Sequence, residues 1–399
     1  MTSVISLKVH SMAWSEPLFI FLVFLAFFFL AKYLEDRRLS FLVSASFVGA
    51  LAALTRYAGV VVIATAILAI LLWSNEAWSK RSEKAAVFLL ISAAPLTLWV
   101  VRNLAVAETV AVREIGFHPI AAGHLEAALD SVATWLLPGP ISSAKRASLL
   151  AVLILFTLIF FLARRAKDQT RERSDRERAL RLCPVLTLFI VLYAAMLVGA
   201  ITFLDAYMPI DNRYLYPVYV ATLVLAVCLV ARFYRVLGKT PLVRVCLIVL
   251  SLFFSGFYLI QGTSWLVFSY NYGIGYSSPL WKESKLMARV KALEPQVPLF
   301  TNAPDAIYLL AGRPASMLPR KLDPSTGKLN RDYASQLASL RKELKGKNGA
   351  LVYFESITWR WYLPRGEELK EKLGLRAVAQ EEDGSIYSFD SGSEKRTER

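Results

Sequence analysis

The chain carries long uncharged apolar runs, such as Leu18–Ala31 and Leu149–Ala163, separated by short clusters of charge. A soluble core does not accommodate many such runs in series, because each would form a helix that is apolar on every side. Composition agrees: 56% of the 399 residues are hydrophobic and 19% are charged, and mean hydropathy is +0.45. Disordered chains and ordinary soluble folds are excluded. The pattern is that of a polytopic membrane protein, all-α within the membrane.

Eight spanning segments are expected: Pro17–Ala31, Leu39–Thr55, Ala58–Trp73, Ala85–Val101, Ala147–Ala163, Leu182–Leu204, Tyr214–Phe233 and Leu242–Ile260. As one helix, Phe41–Trp73 would far exceed the roughly 30 Å hydrocarbon core at about 1.5 Å per residue. It therefore reads as two helices turning at Arg56. With that turn, one set of loops (Lys32–Ser40, Ser74–Lys84, Arg164–Arg181, Arg232–Arg244) holds 18 Lys and Arg, and the opposite set holds 7. The first set is expected in the cytoplasm.

The net charge of +15 is thereby read as topology signal, and no nucleic-acid partner is expected. Cys183, Cys228 and Cys246 all fall in expected spans, which gives no disulfide framework. No cofactor motif is present, and the residues name no divalent metal; His118 and His124 alone make a weak metal signal. The segment Met1–Trp14 lacks the features of a cleavable signal peptide. Parity places the N-terminus on the non-cytoplasmic face, and an odd number of further helices is expected upstream.

From about Gln261 the pattern changes. Amphipathic helices (Leu280–Leu293, Asn330–Lys345) alternate with short strands (Val297–Thr301, Ala350–Phe354, Ile386–Phe389) between Pro- and Gly-rich turns. The expected organisation is a membrane domain over 1–262, a small extracytoplasmic α/β domain over 263–390, and a disordered tail over 391–399. The loop Arg102–Arg146 reads as an interfacial helix, with Leu125, Leu129, Val132 and Leu136 on one face.

Ionisable residues at membrane depth are costly and mark function by default. On the outer face these are Glu16, in Ser15-Glu16-Pro17 at a helix start, Arg56 at the turn, Arg102-Asn103 at a helix end, and Asp211-Asn212-Arg213-Tyr214, with Asp205 shortly before. Each has a plainer role: a carboxylate on a helix dipole, an arginine snorkelling to headgroups, a cap with an internal ion pair. Together they describe a cavity with one carboxylate and several arginines. The guanidinium fork suits phosphate oxygens in a low-dielectric setting, so an anionic headgroup carried on a lipid is the natural ligand.

Ser15-Glu16-Pro17-Leu18-Phe19, Gly49-Ala50-Leu51-Ala52-Ala53-Leu54-Thr55-Arg56, Pro95-Leu96-Thr97-Leu98-Trp99-Val100-Val101-Arg102-Asn103 and Asn212-Arg213-Tyr214-Leu215-Tyr216-Pro217 occur in that order. The set, over about Ser11 to Val220, resembles the GT-C membrane glycosyltransferases of the protein-mannosyltransferase and aminoarabinose-transferase type. Phe300-Thr301-Asn302-Ala303-Pro304-Asp305 and Ala311-Gly312-Arg313-Pro314 are similar to the periplasmic tails of some bacterial members. The resemblance implies a multi-pass protein of the plasma (inner) membrane. It would transfer a sugar from a polyprenyl-phosphate donor to an envelope glycan, lipid or protein acceptor on the outer face.

Such chemistry needs a carboxylate base at the acceptor hydroxyl and cations at the departing lipid phosphate. Glu16 is the expected catalytic carboxylate, orienting acceptor or sugar. Arg56, Arg102, Asn103, Asp211 and Arg213 are the expected substrate-binding residues. The family's catalytic Asp or Glu usually lies in a first outer loop, which this sequence does not contain, so the base is expected upstream of it. A transporter or flippase of lipid-linked sugars and a non-catalytic membrane scaffold are the competing classes; no internal repeat of the kind transporters favour is visible.

Overall fold

The computed structural model describes residues 3–107, 115–136, 174–237 and 241–389. The expected span Ala147–Ala163 and the expected tail 391–399 lie outside them. The chain divides into two compact units, Met1–Leu204 with Met208–Trp265, and Asp205–Tyr207 with Leu266–Arg399.

The first unit is helical. Its elements are α1 (Val4–Ser11), α2 (Glu16–Asp36), α3 (Leu39–Thr55), a 3-10 turn (Tyr57–Gly59), α4 (Val60–Trp73), α5 (Trp78–Ala107), α6 (Ala122–Leu136), α7 (Ser174–Phe203) and α8 (Tyr216–Leu237); α9 (Pro241–Tyr272) carries the chain past the boundary. Among the described residues, four helices are long and apolar enough to cross a membrane: Glu16–Asp36, Trp78–Val106, Leu182–Phe203 and Arg244–Tyr272. Leu39–Thr55, Tyr57–Trp73 and Tyr216–Ala231 are apolar but shorter.

Periodicity decides which side of each helix is buried. On α2, Phe19, Val23, Ala26, Phe27, Leu30 and Leu34 are buried, while Leu18, Phe21 and Phe28 face outward. On α3 the buried face combines Leu42 and Val48 with the small residues Ala45, Ser46, Gly49, Ala50, Ala52 and Ala53, which let neighbouring backbones come close. The buried hydroxyls of Ser46, Thr65 and Ser92 donate to the carbonyls of Leu42, Val61 and Phe88, so none is left unpaired. On α9, Ile248, Leu252, Phe253 and Ile260 stay exposed, a surface suited to lipid rather than water.

The structure shifts several expected boundaries. The helix beginning at Ser174 takes up the end of the expected loop Arg164–Arg181. The helix expected to end at Ile260 continues to Tyr272, because nothing breaks it until Gly273, whose φ of 73° is left-handed and whose N–H returns to Ser269 O. α1, which periodicity did not single out, packs Ile5 and Val9 against Ile20, Tyr216 and Tyr219. On α6, Val132 and Trp135 meet the core, while Leu125 and Leu129 are exposed. At the far end of α2, Arg37 donates to Ser74 Oγ, and Glu76 Oε2 accepts from Ser74 (3.0 Å) and from the hydroxyl of Tyr33 (3.4 Å).

The second unit is α/β. Its sheet has the order β2-β1-β3-β5-β4, from β1 (Leu299–Thr301), β2 (Ala315–Met317), β3 (Ala350–Phe354), β4 (Arg376–Glu381) and β5 (Gly384–Ser388). β1 lies parallel to β2 and β3, whereas β5 runs antiparallel to β3 and β4. Helices α10 (Pro279–Lys282), α11 (Lys285–Ala292), α12 (Pro304–Ala311), α13 (Tyr333–Gly346) and α14 (Gly366–Leu373) complete it. The helix expected over Leu280–Leu293 is broken in two. Glu283 ends one piece and Ser284 caps the next, accepting from Met287 N at 2.9 Å while donating to Asp383. Arg313 donates to the carbonyls of Val290, Leu293, Glu294, Pro295 and Val297, which closes the end of α11 and the turn after it.

Candidate functional site

Glu16 opens α2 and is followed by Pro17, whose fixed φ suits a first helical turn. Ser15 makes no side-chain cap; its hydroxyl instead accepts from Arg56 at 3.4 Å. Glu16 is fully buried.

Arg56 lies where α3 stops. Its backbone is extended (φ −150°, ψ 137°), its N–H returns to Ala52 O, and Gly59 N–H closes the turn on Arg56 O. The turn is tight because residue 59 has no side chain: a Cβ there would stand 2.4 Å from the backbone of Ala53. This geometry sends the Arg56 guanidinium onto Glu16 Oε1.

Arg213 comes from the segment that opens α8. Asp211 Oδ1 accepts from the N–H groups of Arg213 (2.9 Å) and Tyr214 (3.1 Å), and Leu215 N–H returns to Asp211 O. Asp211 therefore shapes the turn. The turn aims Arg213 Nε at Glu16 Oε1, 2.5 Å away, and the guanidinium also lies 4.5 Å over the ring of Trp14. Next to it, Asn212 binds α6: Trp135 Nε1 donates to its Oδ1 at 3.0 Å, and its amide donates to Thr134 at 3.1 Å. Tyr193 of α7 donates to Tyr214 O at 3.2 Å.

Of the expected site residues, the structure joins Glu16, Arg56 and Arg213, with Asp211 shaping the loop. It does not bring Arg102 and Asn103 to this carboxylate. Among the described residues Arg102 lies 5.5 Å over Trp99 and donates to Asn103 at 3.4 Å. Asp205 belongs to the other unit, where it accepts from Tyr207 N–H. Trp14, Asn212, Trp135 and Tyr193 join the site beyond the expected binding residues. Asn212 alone carried a signal, as a short polar residue beside Asp211 at a helix start. The contacts of the others depend on the tertiary fold.

The electrostatics follow from the count of charges. One buried carboxylate faces two guanidiniums, leaving a net charge of +1. Both arginines use Oε1, and among the described residues Glu16 Oε2 accepts no hydrogen bond. A buried carboxylate oxygen without a donor is expensive. Arg56 and Arg213 keep part of their side chains accessible, 18% and 38%, so the excess positive charge is open to an anion. Among the described residues, no group of three or more His, Cys, Asp or Glu comes together to hold a metal. Comparison with protein-family models, with curated proteins and with solved structures returns no match.

Proposed function

We propose that this chain is a GT-C type membrane glycosyltransferase, and that Arg56 and Arg213 bind the phosphate of a polyprenyl-phosphate sugar donor. The observation that carries the reading is the shared Glu16 Oε1, which fixes two guanidiniums from distant parts of the sequence and leaves one positive charge uncompensated. A departing lipid phosphate needs preorganised cations of this kind, and the forks can meet its oxygens two at a time. Glu16 acts first as a positioning residue for the arginines. Its unpartnered Oε2 is the atom available to a sugar or acceptor hydroxyl. In this reading the protein crosses the plasma membrane eight times, the cluster lies at the outer face, and the C-terminal unit is extracytoplasmic.

The test is binding of polyprenyl phosphate to the purified chain in nanodiscs, with Arg56→Lys and Arg213→Lys as variants. Lysine keeps the charge and loses the fork. Each variant is expected to bind at least about tenfold more weakly, a loss of one charge-assisted hydrogen bond. Unchanged affinity in both would overturn the phosphate role. The glycosyltransferase reading itself is tested by adding a polyprenyl-phosphate-linked radiolabelled sugar and following label into membrane glycan, lipid or protein.

A further inference from the structure

The C-terminal unit presents exposed aromatic rings beside its core: Tyr362 packs against that core, while Tyr207, Trp359 and Trp361 stand outside it. After β3 the chain runs through Thr358-Trp359-Arg360-Trp361-Tyr362, with Trp359 58% and Trp361 43% exposed. Trp361 lies against Tyr207 at 4.6 Å between ring centroids and meets Tyr362 edge-on at 6.1 Å. Tyr207, itself 54% exposed, packs its hydroxyl end over Gly327, where a Cβ would come within 2.5 Å. Large rings held rigidly at a surface, outside any core, are an unfilled contact area.

Charge beside the rings is positive. Arg320 stands 5.9 Å over Tyr362, and Lys328 follows Gly327 directly. Neither has an ion-pair partner among the described residues. The nearby acid, Asp323, takes only neutral donors, the N–H of Ser325 and the N–H and hydroxyl of Thr326, and keeps its charge, so the three groups together carry one positive charge.

Chain connectivity completes the argument. Tyr207 stands four residues after the apolar helix that ends at Phe203, a distance of at most ~14 Å even when fully extended. Trp and Tyr flanked by Lys and Arg, this close to the end of an apolar helix, are the residues that settle at headgroup depth.

We propose that Tyr207, Trp359 and Trp361, with Arg320 and Lys328, form a docking surface for an anionic lipid bilayer. The rings enter the interface, and the two cations meet lipid phosphates.

The test uses the full chain in nanodiscs of phosphatidylcholine with or without phosphatidylglycerol. Cys183, Cys228 and Cys246 are replaced, and one cysteine carries an environment-sensitive fluorophore. Thr358→Cys reports the loop, and Lys347→Cys reports the far end of the strands. The expected result is quenching of the 358 probe by spin-labelled lipid, with the 347 probe quenched by aqueous iodide. Trp359→Ser with Trp361→Ser abolishes the lipid quenching while leaving the 347 probe unchanged, which separates lost docking from lost folding. Arg320→Gln and Lys328→Gln each weaken the preference for phosphatidylglycerol by about fivefold. A 358 probe as open to iodide as the 347 probe in both lipids overturns the proposal. So does protection that appears only on adding soluble envelope glycan, which would assign the rings to a sugar.

Discussion

Arg213 reaches a carboxylate 197 residues earlier in the chain, placing its Nε 2.5 Å from Oε1 of Glu16. Arg56 meets the same oxygen. The start of α2, the α3–α4 turn and the start of α8 are thereby pinned at one point. A pin of this kind costs desolvation and tolerates the loss of one member badly.

The first prediction follows from that cost. As a carboxylate on a helix dipole, Glu16 would contribute at most about 1 kcal/mol, and Glu16→Gln would fold normally. In the cluster, the substitution leaves two partly accessible guanidiniums facing each other without their carboxylate, and a loss of about 1–3 kcal/mol is expected. Thermal unfolding in detergent measures it. Adding Arg213→Gln to Glu16→Gln is expected to recover part of the loss, giving a coupling of at least about 0.5 kcal/mol in a double-mutant cycle. Strict additivity would mean that the pair is not coupled.

Gly59→Ala tests how Arg56 is aimed. The added Cβ meets backbone atoms of Ala52 and Ala53 at 2.4–2.5 Å, and backbone cannot swing aside as a side chain does. The turn must open, at an expected cost of about 1–3 kcal/mol. Polyprenyl phosphate binding is expected to fall with it. A variant as stable as wild type, with unchanged binding, would show that the turn does not set the arginine.

Asn212→Ala removes the hydrogen bonds to Trp135 and Thr134 of α6 and leaves Ser131 Oγ on Ile210 O. Two net hydrogen bonds are worth about 1–3 kcal/mol together, and the effect is local. Amide hydrogen exchange should quicken in Ala122–Leu136 while the amides of α2 keep their protection. Uniform protection in α6 would contradict the anchoring role.

The C-terminal unit has a pH dependence with two limbs. Burial pushes the Tyr276 hydroxyl up to about 12, helped by its bond to Asp305 and by that carboxylate's charge. The folded state then holds the phenol proton more tightly than the unfolded chain. This stability is complete below pH 10 and is lost as pH rises toward 12. For Asp305, burial acts upward, but hydrogen bonds from Tyr276 and Arg360 and the charge of Arg360 outweigh it and hold the carboxyl below its ordinary value of 3.8. Its contribution is present above that value and fades as pH falls through the lowered pKa. Thermal midpoints against pH should therefore show a shallower alkaline limb in Tyr276→Phe and a shallower acid limb in Asp305→Asn. Slopes equal to wild type would exclude the pair as their source.

Apolar runs and charge gaps were enough to place α2, α3, α4, α5 and α7 along the chain. Burial in lipid selects for unbroken hydrophobicity, and that is a local property of sequence. The turn at Arg56 was legible for the same reason, since one helix through Trp73 would be too long for a bilayer. The α/β character of the last part was legible from period, but β2 and β4 were not. Ala315–Met317 and Arg376–Glu381 are short, mostly exposed edge strands, and their pairing partners, not their own pattern, make them strands. Glu16, Arg56 and Arg213 could each be picked out as charges in apolar surroundings. That all three share a single oxygen, while Arg102 turns to Trp99 instead, was decided by the packing of helices far apart in sequence. A side chain's nearest charge depends on distances in space that no local pattern encodes.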